Sequence, residues 1–278
     1  MKDVSIREVE KFWDENPLFS GESNFDPGTL EFFNDHERVY IEDVFAGHFN
    51  KEEYIPKQAA GNRVLDLGCG IGFWSATILE SYPAVDLYVA DLTRTALDMT
   101  KKRLNIMGFD ASFSKQNAES MSYDDAFFDH VNCQGVIHHT PNTQACVAEI
   151  ARVLKSGGTA SISVYYRNIF LRNWRFLTPI GKLLNRFGGG LKGRGRQNIF
   201  AQTDVDEITK LYDGDKNPLG KSYNKEMILE MVKPYFHVND VFLNFFPARS
   251  LPFKIPHSLH RFLSRKQGFM IHLSLKKS

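Results

Sequence analysis

Val64-Leu65-Asp66-Leu67-Gly68-Cys69-Gly70-Ile71-Gly72-Phe73-Trp74 constrains this chain more than any other stretch. The apolar run reads as a strand, the three alternate glycines as a tight turn, and Ser75-Ala76-Thr77-Ile78-Leu79-Glu80 as the helix that follows. Bare glycine backbone lets a ligand come close, and the first turn of a helix offers unpaired N–H groups beside it. The loop is therefore a cradle. A dinucleotide fingerprint would need its third glycine three residues after the second, where Phe73 stands. Asp66 would also set a carboxylate beside a pyrophosphate, so a ligand that is cationic or lacks phosphate fits better.

Beyond the loop, strands and helices alternate. Asp86-Leu87-Tyr88-Val89-Ala90-Asp91 reads as a second strand ending in a carboxylate nineteen residues after Gly72. In nucleoside-binding α/β folds an acid at this strand end accepts hydrogen bonds from the ribose. The competing role for Asp91 is to cap the helix that starts near Arg94 and runs to Met107. A third strand, 111–116, leads into Asn117-Ala118-Glu119. A fourth, opening with Phe127-Phe128-Asp129-His130-Val131, leads into Gln134-Gly135-Val136-Ile137-His138-His139-Thr140-Pro141. A helix over 142–154 stops at Lys155-Ser156-Gly157-Gly158, and a fifth strand follows over 159–166.

In this order, D-L-G-C-G-I-G, the strand-end Asp91, Asn117-Ala118, F-D-H-V with H-H-T-P, and V-L-K-S-G-G resemble the motifs of class I S-adenosylmethionine-dependent methyltransferases of the small-molecule type, over roughly residues 60–165. The resemblance implies an α/β fold, a Rossmann-like sheet of seven mostly parallel strands in the order 3-2-1-4-5-7-6 flanked by helices. It implies S-adenosyl-L-methionine as cofactor, with contacts from Asp66, Gly68, Cys69, Gly70 and Gly72, from Asp91 and Leu92, and from Gln134 beside the methionine part. Asn117 and Ala118 would meet the adenine; Asn117 stands where Asp is more usual but keeps a carbonyl acceptor, and its rival role is to close its own turn.

The resemblance places His138 and His139 at the mouth where an acceptor enters. If that acceptor is a hydroxyl or an acidic carbon it must lose a proton, and His139, then His138, are the candidate bases. An amine arriving neutral would need none, and both histidines would then only shape the wall. Residues 1–60 read as a helical cap whose aromatics, among them Phe12, Phe32, Phe33, Phe45 and Phe49, dock it on the sheet. Trp13, Arg38 and Tyr40 are the cap's candidates for touching substrate; Tyr165, Arg167 and Tyr212 are those of the main domain, 61–278.

Residues 167–225 form an insertion after the fifth strand, too long for a plain connection, and read as a substrate lid. From Arg167 to Arg196 it carries eight basic residues and no acid, interleaved with Phe170, Trp174, Phe176 and Phe187. Such a segment packs as a lid with its charges in water, or meets a membrane surface, an acidic substrate or RNA. Gly188-Gly189-Gly190-Leu191-Lys192-Gly193-Arg194-Gly195-Arg196 within it reads as a hinge. Val238 to Phe246 and Phe269 to Leu275 would be the closing antiparallel pair.

Across the 278 residues, 34 Lys and Arg balance 33 Asp and Glu, a net charge of +1 that argues against wholesale nucleic-acid binding. Three cysteines, Cys69, Cys133 and Cys146, with no C-x-x-C spacing suggest neither disulfides nor zinc, and a reducing cytoplasm. The charged start Met1-Lys2-Asp3-Val4 is no signal core. The sequence thus predicts a cytoplasmic transferase, monomer or homodimer, needing no metal and methylating oxygen, nitrogen or carbon of a small, partly apolar or anionic metabolite. RNA modification, and a membrane-peripheral quinone or lipid methyltransferase, are the alternatives.

Overall fold

The apolar run before the glycines forms β1 (Arg63–Leu67), buried from Val64 onward and central in the sheet. The computed structural model describes residues 4–19, 21–59, 62–191 and 195–278. Two helices precede β1: α1 (Ile6–Glu15), opened by a reciprocal Ser5/Glu8 capping box, and α2 (Leu30–Val44), capped by Thr29. The crossover helices α3 (Phe73–Ser81), α4 (Arg94–Ile106) and α5 (Thr143–Val153) set β2 (Asp86–Asp91), β3 (Ser112–Lys115), β4 (Phe128–Gln134) and β5 (Leu154–Tyr166) parallel to β1, in the order β3-β2-β1-β4-β5. Strand order reverses between β1 and β4, and the cleft over their C-terminal ends is where such sheets bind ligands.

After β5 come α6 (Ile169–Arg172), α7 (Trp174–Arg186), α8 (Val205–Leu211), β6 (Ser222–Tyr223), α9 (Lys225–Val232), β7 (Phe236–Asn244), α10 (His257–Gln267) and β8 (Met270–Lys277). β8 runs antiparallel between β5 and β7, completing the expected order. Two details differ from the sequence reading. An eighth strand, β6, pairs with the end of β5 at Tyr165 and Tyr166, tying the end of the insertion to the sheet. β5 also starts at Leu154 rather than 159; the register against β4 jumps between Phe128 and His130, so Lys155-Ser156-Gly157-Gly158 bulges out of a continuing strand.

The aromatic residues of the N-terminal segment dock it, as expected. Tyr40, Phe45, Phe49 and Tyr54 pack on Phe73 and Trp74 of α3, with ring centroids 4.5 Å apart for Tyr40 and Phe73, while Phe32 and Phe33 join Ile71 and Met99. The insertion has its own small core of Leu171, Trp174, Leu191, Ile199 and Ile208 against Phe245 and Phe269. Of the glycine-rich hinge, Lys192, Gly193 and Arg194 lie outside the described residues, as do Met1, Lys2 and Asp3; Gly190 donates its N–H to the Ser250 carbonyl and Arg196 is buried. Among the described residues no helix is long and apolar enough to cross a membrane.

Candidate functional site

Over the ends of β1, β2 and β4 lies a chamber floored by bare backbone. Gly68 and Gly70 hold φ of 78° and 56°, in the left-handed region, and a Cβ on Gly68 would come within 2.2 Å of Val136 Cγ2. Gly68, Gly70, Asp91, Leu92, Asn117 and Ala118 border this chamber, with Gln134 at one end and Ile6 and Val9 of α1 above. Asp91 ties the floor together. Its Oδ1 accepts from the Thr93 N–H (2.9 Å) and hydroxyl (3.0 Å), and its Oδ2 accepts from the Gly70 N–H (3.2 Å). Thr93, not Asp91, caps α4, so the rival role is met only at second hand. With Oδ1 saturated and Oδ2 holding one strong donor, the carboxylate keeps capacity for a ligand hydroxyl. Burial pushes the Asp91 carboxyl up, against the pull of those same N–H groups.

Three of the loop residues expected at the cofactor lie beneath this floor instead. Asp66 is sealed under the turn, accepting from Ser75 Oγ (2.5 Å) and Asn132 Nδ2 (2.8 Å), and burial pushes it up to about 6. It fastens α3 to β4. Cys69 is buried with its thiol towards Asp91, and Gly72 begins α3 where any Cβ would press on Thr100. Asn117 borders the chamber, yet its Oδ1 accepts from the Glu119 N–H at 3.0 Å, the turn-closing role.

A second chamber of about 190 Å³ adjoins the first, and Trp13, Leu18, Gln134, Gly135 and His139 border both. Tyr40, Phe45, Trp74, Tyr165, Tyr212 and Phe245 give it aromatic walls. His139 stands at the junction: its Nδ1 lies 2.9 Å from the Leu219 carbonyl and its Nε2 3.5 Å from Asp213 Oδ2, while Trp13 meets the ring edge-on at 5.0 Å. A carbonyl only accepts, so Nδ1 carries a proton and Nε2 faces the carboxylate. Asp213 in turn accepts from the Tyr165 hydroxyl at 2.9 Å.

Other expected residues sit elsewhere. His138 is fully buried, borders neither chamber, and has no hydrogen-bond partner on either ring nitrogen; burial drives it well below the ordinary histidine range, so it is a neutral core ring packed at a tilt against Tyr165, centroids 4.0 Å apart. Consecutive residues of the 3-10 turn 137–139 point apart, and only His139 reaches the cavity. Arg38 lies on the exposed face of α2, paired with Asp35. Arg167 braces the insertion through Asp206 and Ser222 rather than facing substrate.

Sequence reasoning missed Asp213, Glu22, Asp43, Arg196 and Arg249, all bordering the second chamber. Asp213 had a legible signal, the acidic turn that follows the basic run. The others come from three separate segments and meet only in the fold.

Residues 64–158 match the family described as a methyltransferase domain. The chain is 27% identical over 173 residues to the ubiquinone biosynthesis O-methyltransferase of Nitrosospira multiformis, covering 59% of this chain and 63% of that protein. It therefore spans less than two thirds of the length of this curated relative. Among solved structures, an S-adenosylmethionine-dependent methyltransferase of Methanosarcina mazei superposes with a TM-score of 0.54 at 16% identity, over 81% of this chain and 95% of that one. The [4+2]-cyclase SpnF does so with 0.55 at 13%, over 98% and 96%. These superpositions show the fold, and a cyclase among them is a reminder that the fold alone does not name the reaction. With the glycine floor and Asp91 in the same segment, residues 64–158 match a methyltransferase domain and share the fold of S-adenosylmethionine-dependent methyltransferases.

Proposed function

We propose that the protein transfers a methyl group from S-adenosylmethionine to a hydroxyl oxygen of a small acceptor, in a reducing cytoplasm. The observation that carries this reading is the pair of chambers sharing His139: one is floored by glycine backbone and closed by Asp91, the other is aromatic. Gly68, Gly70, Asp91, Leu92, Ala118 and Gln134 would hold the cofactor, with Asn117 at its adenine end. Bound S-adenosylmethionine supplies the methyl group and a sulfonium that leaves as a neutral sulfide. The chain's work is then positioning. Trp13 and the Tyr40 face hold a ring against the shared wall, and His139 with Asp213 receives the hydroxyl proton. Oxygen is favoured over a neutral amine because this pair serves a group that must lose its proton, and over carbon because the curated relative is named an O-methyltransferase. Calorimetry tests the reading: micromolar-range binding of S-adenosylmethionine is expected, and its absence ends the proposal.

A second reading concerns where the acceptor comes from. α7 leaves Phe176 80% and Phe187 70% exposed, with Ile180 and Leu183 also out, beside Arg175, Lys182 and Arg186. Phe253 and Phe262 are exposed further along, near Lys254 and Arg265. Behind α7 lies an apolar cavity of about 300 Å³ bordered by Leu177, Leu184 and Leu251, and Tyr212 borders both it and the second chamber. Apolar rings among cations suit an anionic bilayer, from which an acceptor with an apolar tail would be drawn. The protein is expected to float with phosphatidylglycerol vesicles and not with phosphatidylcholine vesicles, and a Phe176→Glu/Phe187→Glu variant is expected to stay behind. Equal recovery with both lipids would remove this route.

A further inference from the structure

Among the described residues, nine buried side-chain nitrogen or oxygen atoms have no hydrogen-bond partner. Three of them, His36 Nδ1, Asp43 Oδ1 and His272 Nε2, belong to residues bordering the second chamber, and none belongs to a residue bordering the first. Unmet polar groups cost stability wherever they are buried, so three around one cavity mark a place kept for a partner. His36, Tyr40 and Asp43 are spaced four and three residues apart along α2 and share the helix face that borders the chamber. Asp43 Oδ2 is occupied by Arg249 Nε at 3.0 Å, and Arg249 also meets Glu22 at 3.1 Å, leaving the buried Oδ1 as the acceptor without a hydrogen-bond partner.

The chemistry of these atoms narrows what can satisfy them. A carboxylate only accepts, so the group that meets Asp43 must donate. Burial takes His36 and His272 down to about 3, so both rings are neutral; His272 Nδ1 donates to Gln134 Oε1 at 3.2 Å, so its unpartnered Nε2, like Asp43, only accepts. Around the chamber, Glu22, Asp43 and Asp213 stand against Arg196 and Arg249, one acid in excess. That balance disfavours an anion. A cavity of roughly 150 Å³ holds a benzene ring, so the 190 Å³ here suits one substituted ring between Tyr40, Trp74 and Tyr212.

Resting on the methyltransferase reading, we propose that Asp43 anchors the acceptor by a hydrogen-bond-donating group, a hydroxyl or a protonated amine, carried on a single ring away from the methylated oxygen. Arg249 is a positioning residue that holds Asp43 in place. The methyl-receiving hydroxyl sits at His139, and the anchor sets which ring molecules are turned towards it.

Four probes of one shape separate the possibilities: 4-ethylphenol, 2-(4-hydroxyphenyl)ethanol, tyramine and 3-(4-hydroxyphenyl)propionate. Each is titrated calorimetrically into the full chain saturated with S-adenosylhomocysteine. The hydroxyl and ammonium probes are expected to bind at least about tenfold more tightly than 4-ethylphenol, and the carboxylate probe no more tightly than it. Asp43→Leu is expected to erase that advantage while leaving 4-ethylphenol and S-adenosylhomocysteine affinities within about threefold. Asp43→Asn, which keeps a carbonyl, is expected to weaken tyramine more than the hydroxyl probe, and it decides the matter if the leucine variant does not fold. Equal affinities for all four probes, no binding of any at millimolar concentration, or unchanged discrimination in the variants overturns the anchor. Absence of S-adenosylhomocysteine binding to the wild-type chain tells instead against the methyltransferase reading, and the probes are then titrated alone and judged by the same criteria.

Discussion

Asp91→Ala is expected to weaken S-adenosylmethionine binding at least about 100-fold, near 2.8 kcal/mol at 1.4 kcal/mol per decade. Hydrogen bonds to a charged acceptor contribute about 1.5–3 kcal/mol each, so loss of the ribose contact accounts for much of this. The rest comes from the floor itself. Without the carboxylate, Gly70 N–H and the Thr93 backbone and hydroxyl lose their shared acceptor, and the loop that faces the ligand is no longer held to the end of β2. Asp91→Asn separates the two contributions, because its amide oxygen can still accept from one side. It should bind about tenfold less tightly than wild type. Calorimetry of both variants, with melting temperatures alongside, provides the check. An alanine variant that binds within threefold of wild type would show that the carboxylate serves only the loop.

How much of this was legible beforehand follows from which residues act locally. The strand-turn-helix at 64–80 and the carboxylate closing β2 are short-range patterns, and the glycine spacing indicates backbone approach without knowledge of the rest of the chain. Asp66 shows the limit of that logic. Adjacent to the turn in sequence, it faces inward because side chains alternate along a strand, and Ser75 and Asn132 close over it. His138 and His139 are the same lesson one turn later. Chemistry alone could rank them but not orient them, and orientation came from Leu219 and Asp213, some eighty residues on. The second chamber was least legible of all, since Glu22, Asp43, Arg196 and Arg249 become neighbours only when the N-terminal helices, the insertion and the segment before α10 converge.

His139→Ala should lower turnover on a phenolic acceptor by about 100-fold or more at neutral pH, the usual yield of a positioned base. Asp213→Asn should cost about tenfold by the same reasoning, mainly in kcat, because it removes the carboxylate that Nε2 faces and to which Tyr165 donates. Both effects should shrink as pH rises. A phenol with a pKa of about 10 ionises unaided near that pH, so the acceptor then arrives without the proton the pair exists to receive, and the base variants approach wild type. A histidine that only shaped the wall would give a deficit independent of pH. Release of S-adenosylhomocysteine followed from pH 6 to 10 in wild type and both variants distinguishes the two, with parallel profiles counting against proton transfer to this pair. The readout also separates His139 from Trp13, which packs edge-on against it: losing Trp13 should loosen the ring at every pH alike.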